Sequence, residues 1–182
     1  MKAFAGESQA RNRYNFAAKW SKNKGFHVVE RVFNFTAEQE KEHAKIFYKY
    51  LKDLAGSTIK ISGDYPIDIY DNPVDLLKCA KENEYEEYNN VYKSFKEEAK
   101  SEGFNDIAET FNSIAEIEKI HGERFEKFEN LIKNNRLFVS DVEEGWICLN
   151  CGNVYTGKEV PEKCPVCSHD RGYFIRTSFL IV

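Results

Sequence analysis

The stretch Ser113–Phe128, SIAEIEKIHGERFEKF, decides how this chain folds. Through it runs the row Ile107, Phe111, Ile114, Glu118, His121, Phe125, Phe128, Ile132, stepping by four and three residues. That is the spacing of side chains on one side of an α-helix. The row is apolar except at its middle, so an acid and an imidazole face the core.

The interruption recurs in three more helical stretches. The inward rows read Phe4, Glu7, Arg11, Tyr14, Ala18, then Val29, Phe33, Thr36, Glu40, His43, Phe47, Tyr50, Leu54, then Leu77, Ala80, Glu84, Glu87, Val91. Five carboxylates and two imidazoles converge near the middle of one bundle. Each unpaired buried ion costs on the order of several kcal/mol. Arg11 is the one cation on these rows, so the charge must be balanced from outside the chain. Two ferrous ions bring four positive charges and two ferric ions six, which bracket the five carboxylates. Oxygen and imidazole ligands suit iron or manganese better than a structural zinc.

Spacing strengthens this reading. Glu-x-x-His at Glu40–His43 and at Glu118–His121, beside single glutamates from the other two helices, is the di-iron carboxylate arrangement. A lone Glu-x-x-His usually lies on a solvated face, but two on equivalent rows do not. Glu42, Glu86, Glu97, Glu98 and Glu116 fall off the rows and are expected in solvent.

The two halves of the helical region repeat at an offset of 78 residues: Tyr14 with Tyr92, Gly25-Phe26 with Gly103-Phe104, Phe33 with Phe111, Glu40 with Glu118, His43 with His121, Phe47 with Phe125. Gly25 and Gly103 read as helix C-terminal glycines, and Asn72-Pro73 as a helix start. Between the hairpins lies AGSTIKISGDYPIDIYDN, Ala55–Asn72, without helical period. Its 18 residues can stretch to roughly 59 Å, whereas a helix of about 26 residues is ~39 Å long. The connector can therefore run the length of the bundle. One long crossover between two hairpins is the ferritin-like topology.

From Asn134 to Glu144 the helical period fades, and a cysteine-rich segment follows. The spacing Cys148, Cys151, Cys164, Cys167, C-x2-C-x12-C-x2-C, predicts a tetrahedral four-sulfur metal site. Spacing alone favours zinc. A redox-active metal pair in the same chain shifts the balance to a single iron, because zinc carries no electrons. Cys79 stands alone and is expected as an unpaired buried thiol, and His27 and His169 are expected at the surface. The expected domains are residues 1–140, a ferritin-like four-helix bundle, and 141–182, a small β module.

Charged residues make up 31% of the 182, with a net charge of -4 and no basic block, which argues against nucleic acid or an anionic membrane as partner. The N-terminal MKAFAGESQARNRY has no secretory apolar core, and no run approaches the ~18 apolar residues of a membrane span. A cytoplasmic protein is expected.

GESQARNRY (6–14), EKEHAKIFYKYL (40–51), ENEYEEYNNVYKSF (82–95), EKIHGERF (118–125), WICLNCG (146–152) and CPVC (164–167) together resemble the rubrerythrins over essentially the whole chain. The resemblance implies a di-iron, ferritin-like domain followed by a rubredoxin-like Fe(Cys)4 domain, and a peroxidase that reduces hydrogen peroxide to water. It implies Glu7, Glu40, Glu84 and Glu118 as carboxylate ligands, and His121 on one iron. The other iron would shift between His43 and Glu87 with redox state, while Tyr14 and Tyr92 hydrogen-bond near the site. It further implies a homodimer in which the sulfur-bound iron serves a neighbouring subunit. Electrons would come ultimately from NAD(P)H through a flavoprotein reductase or a rubredoxin, since the chain has no dinucleotide glycine motif. Two other readings use the same residues: oxidation and handling of Fe(II) as in ferritins, and an inert bundle bearing a zinc ribbon.

Overall fold

The computed structural model describes residues 1–179, so positions 180–182 of the expected second domain lie outside the described residues. Helices α1 (Lys2–Asn23) and α2 (His27–Lys49) form the first hairpin. The second pairs α5 (Asn105–Lys133) with a continuous helix made of α3 (Pro73–Glu86), one π-helical turn (Glu87–Val91) and α4 (Tyr92–Ser101). Gly25 and Gly103 close their helices with φ of 78° and 85°, the left-handed conformation that a side chain would strain. The Asn72 side chain accepts the Asp75 N–H at 2.8 Å, capping α3 with Pro73 in its first turn.

The inward row of α2 ends sooner than its spacing predicts. The helix stops at Lys49 and a short 3-10 turn follows, which leaves Tyr50 and Leu54 exposed.

Residues 55–72 carry no helix or strand and connect the hairpins as a long crossover, giving the ferritin-like bundle. The crossover is fastened by Asp68, which takes an ion pair from Arg13 and a hydrogen bond from Asn83 at 2.9 Å. Its neighbours Ile67 and Ile69 point outward, 80% and 86% exposed.

Two apolar layers stack along the bundle. One holds Ala10, Tyr14, Phe33, Ala37, Leu77, Ala80 and Phe125, the other Ala3, Phe47, Tyr92, Ile114 and Ala115. In all four helices the inward acids fall between these layers, as Glu7 lies between Ala3 and Ala10. One further buried acid is structural: Glu129 accepts Lys81 of α3 at 2.7 Å and also pairs with Lys133.

The C-terminal module is a three-stranded antiparallel sheet with β1 (Val139–Cys148) between β2 (Val154–Glu159) and β3 (Phe174–Arg176). β1 begins inside the stretch 134–144 where the helical period fades. The module sits against the α1–α2 turn of its own chain. Ile175 joins the bundle core, and Tyr173 stacks on His27 with ring centroids 3.7 Å apart. His27, expected at the surface, is therefore largely covered; His169 is exposed. A methyl group on Gly172 would lie 2.0 Å from the Gly25 carbonyl oxygen, so the contact demands glycine there.

Gly172→Ala is accordingly expected to cost about 1–3 kcal/mol through overpacking. Limited proteolysis near residues 134–138 should accelerate in the variant; an unchanged cleavage rate would show that the docking does not depend on this contact.

Candidate metal centres

Each inward acid is carried to the bundle middle by a separate helix: Glu7 by α1, Glu40 and His43 by α2, Glu84 by α3, Glu118 and His121 by α5. The five carboxylates and two imidazoles of the inward rows are brought together. Six are buried, and Glu87, on the π-turn, is half-buried. Their ligand atoms form two groups, Glu7, Glu40, His43, Glu118 and Glu40, Glu84, Glu118, His121, each with its atoms within 4.8 Å of one another. Glu40 and Glu118 belong to both groups. Glu87 belongs to neither.

The two groups mirror one another. His43 Nδ1 lies 3.1 Å from Glu40 and 3.0 Å from Glu118, and His121 Nδ1 lies 2.8 Å from each of the same two acids. The rings stack at 5.6 Å. Tyr14 donates to Glu84 at 2.5 Å, and Tyr92 donates to Glu7, so each tyrosine orients the acid of the opposite hairpin. Burial, then the charge of Glu84, keeps Tyr14 a phenol by raising its pKa well above the ordinary value.

One residue breaks the mirror. Glu84 follows Glu7 by 77 residues, while Tyr92 follows Tyr14 by 78. The π-turn absorbs the extra residue between Glu84 and Tyr92, because a π-bulge is one residue inserted into an α-helix. Both acid–tyrosine pairs can then form, and the inserted turn begins at Glu87.

Without a metal the cluster is held together by protons, which the carboxylates press onto His43 and His121 against the burial of both rings. Glu7 Oε2, Glu40 Oε1, Glu84 Oε2, both Glu118 carboxylate oxygens and His121 Nδ1 are buried without a hydrogen-bond partner. Burial, then the charge of Glu40, pushes Glu84 up to about 8. Burial, then Glu118, raises Glu7, and burial, then Glu84, raises Glu87 well above the carboxylate range. Against its own burial, Glu40 is held low by His121 and His43. Orphaned carboxylate oxygens and an imidazole nitrogen turned into one buried space fit a pair of metal ions once their protons leave.

Arg11, the cation on the inward rows, turns away: its guanidinium reaches Glu38 at 3.9 Å on a solvated edge. The rows did not single out Arg124 and Gln39. Gln39 accepts Arg124 at 2.9 Å and sits 3.1 Å from His121 Nε2, leaving His121 Nδ1 to face the carboxylates. Arg124 follows His121 by three residues, a spacing that could have drawn attention to it. Glu42, Glu86, Glu97, Glu98 and Glu116 are exposed, and Cys79 is half-buried.

In the C-terminal module the four cysteine sulfurs also lie within 4.8 Å of one another. Cys148 and Cys167 are 3.7 Å apart and Cys151 and Cys164 3.6 Å, close to the roughly 3.8 Å edge of a tetrahedron with ~2.3 Å metal–sulfur bonds. The His169 backbone N–H brings Cys167 down to about 6, which favours the thiolate a metal requires. The sulfurs fit a single tetrahedral ion.

Comparison with known proteins agrees with both sites. The family described as Rubrerythrin matches residues 1–129, and the rubredoxin-like domain of rubrerythrin matches residues 146–175. The rubrerythrin of Clostridium perfringens is 42% identical over 175 residues, covering 96% of this chain and 90% of its own. That of Nitratidesulfovibrio vulgaris is 41% identical, covering 94% of this chain and 88% of its own. A solved structure of nigerythrin in a mixed-valence state superposes with a TM-score of 0.64 at 26% identity, over 96% of this chain and 82% of that one.

The raised carboxyls carry a pH consequence. Glu84, pushed up to about 8, keeps its proton at pH 7, so a divalent ion entering the bundle must displace it. Titrating metal-free protein with Mn(II) should release more protons at pH 7 than at pH 9, above the value of about 8 for Glu84. Equal release at both pH values would mean the acids are already ionised.

Proposed function

The chain belongs to the rubrerythrin family, and we propose that it is a peroxidase reducing hydrogen peroxide to water. Its cofactors are a pair of irons in the bundle and one iron in the four-cysteine site. When bound, the iron pair supplies the two electrons that break the O–O bond, and the sulfur-bound iron returns them singly.

The chain's own residues do the rest. Glu40 and Glu118, common to both groups, would serve both metals, and Glu7 and Glu84 would each serve one, their orientation set by Tyr92 and Tyr14. His121 is aimed by Gln39. The observation that carries the proposal is the placement of Glu87. It lies outside both groups, on the π-turn, and lines a cavity that opens to solvent. A plain four-carboxylate, two-histidine site has no need of it. We assign Glu87 as the ligand that exchanges with His43 as the redox state changes. Its carboxyl, whose pKa burial and then the charge of Glu84 raise well above the ordinary carboxylate value, can also carry a proton from the cavity to the departing oxygen.

The position of the cysteine module supports relay between two copies. Tyr173 packs on His27, 13 residues or ~20 Å along α2 from Glu40, and electron tunnelling falls off exponentially with distance. The exposed Ile67 and Ile69 offer an apolar ridge for a second copy to cover. Electrons would enter from NAD(P)H through a flavoprotein reductase or a rubredoxin. No described helix is long and apolar enough to cross a membrane.

Glu87→Ala is expected to lower peroxide turnover by about 10–100-fold, the cost of losing a metal-directed group, with the helicity of metal-free protein unchanged. Retention of full turnover would remove Glu87 from the mechanism. Preference for oxygen over peroxide when both are limiting would favour iron handling instead.

A further inference from the structure

A cavity of about 360 Å³ lies between α1, the π-turn and crossover residues 62–66. Glu87 and Tyr92 line it beside the metal site, and Ala3, Gly6, Pro66 and Phe95 add an apolar wall. Hydrogen peroxide, with two oxygens, needs only about 60 Å³ at the ~30 Å³ that one water occupies in the liquid. The space falls instead in the roughly 300–1,000 Å³ range of small-molecule pockets. At Gly6 the wall is open: nothing lies within 4 Å of the point where a Cβ would stand.

Resting on the peroxidase reading, we propose that this cavity takes the organic tail of a hydroperoxide, R–O–OH, and presents its peroxy end to Glu87. Small alkyl and aryl hydroperoxides are then a second substrate class. The O–O bond breaks and two electrons arrive from the reduced iron pair. With two protons, the oxygen attached to carbon leaves as the alcohol R–OH and the terminal oxygen leaves as water. The apolar wall shelters R, while Glu87 meets the polar end.

Gly6→Leu tests the assignment, because it adds a side chain into open space at a helical position where glycine is a weak former. In iron-loaded protein, kcat/KM for cumene hydroperoxide should fall about tenfold or more, and that for hydrogen peroxide should change by less than about twofold. Calorimetric titration of the inert product, 2-phenyl-2-propanol, into oxidised protein should show binding to the parent chain and about tenfold weaker binding to the variant. Gly6→Ala should shift both readouts the same way by less, which preserves the comparison if the leucine variant misfolds. Parent protein that turns over hydrogen peroxide but not cumene hydroperoxide overturns this inference alone; inactivity towards both overturns the peroxidase reading beneath it. Equal losses for the two peroxides in Gly6→Leu, or unchanged alcohol binding, also overturn the inference.

Discussion

Mutual repulsion among buried carboxylates is the constraint on which the rest of this molecule depends. Four glutamates and two histidines are sealed between two apolar layers, with Glu87 at their edge. Several of their oxygens have no protein partner. Such a core is tolerable only if the acids keep their protons or a multivalent cation replaces them. Proton and metal therefore compete for the same atoms. The surrounding groups bias the geometry rather than supply the charge: two tyrosines and one glutamine orient ligands, and the nearest arginines are engaged elsewhere, Arg13 with Asp68 and Arg124 with Thr36 and Gln39.

The duplicated halves are symmetric about the site except at one inserted residue. Each hairpin contributes a Glu-x-x-His helix and a single-Glu helix, and each tyrosine reaches across to the acid of the other hairpin. A perfect repeat would give two equivalent metal positions. The extra residue at the π-turn adds Glu87 on one side only and opens that side to a cavity beneath the crossover. The Arg13–Asp68–Asn83 contacts hold the segments around the π-turn in place.

The cysteine module follows a different logic. It packs on the turn between α1 and α2 through Ile175, Tyr173 and the close approach of Gly172 to Gly25. Its four sulfurs are preset near tetrahedral spacing. Within one chain it packs at the α1–α2 turn, away from the cavity beside the π-turn.

Most of this architecture was legible in the sequence, because helical periodicity and ligand spacing are local. Rows of apolar residues interrupted at equal depth by Glu40, His43, Glu118 and His121 define both the faces and the chemistry, and the two C-x-x-C pairs define a sulfur site with no help from the rest of the fold. Local signals were weaker at ends and off the rows: Leu54 continues a helical spacing that the chain does not follow, and Arg11 shares a row yet reaches solvent. Only the tertiary structure decided that Gln39 and Arg124 support His121, that Asp68 fastens the crossover to Arg13, and that the inserted residue becomes a π-turn beside a cavity. The physical reason is distance along the chain. A side chain's face is set by neighbours three and four residues away, whereas a hydrogen-bond partner or a cavity wall 50 or more residues away exists only once the helices have packed.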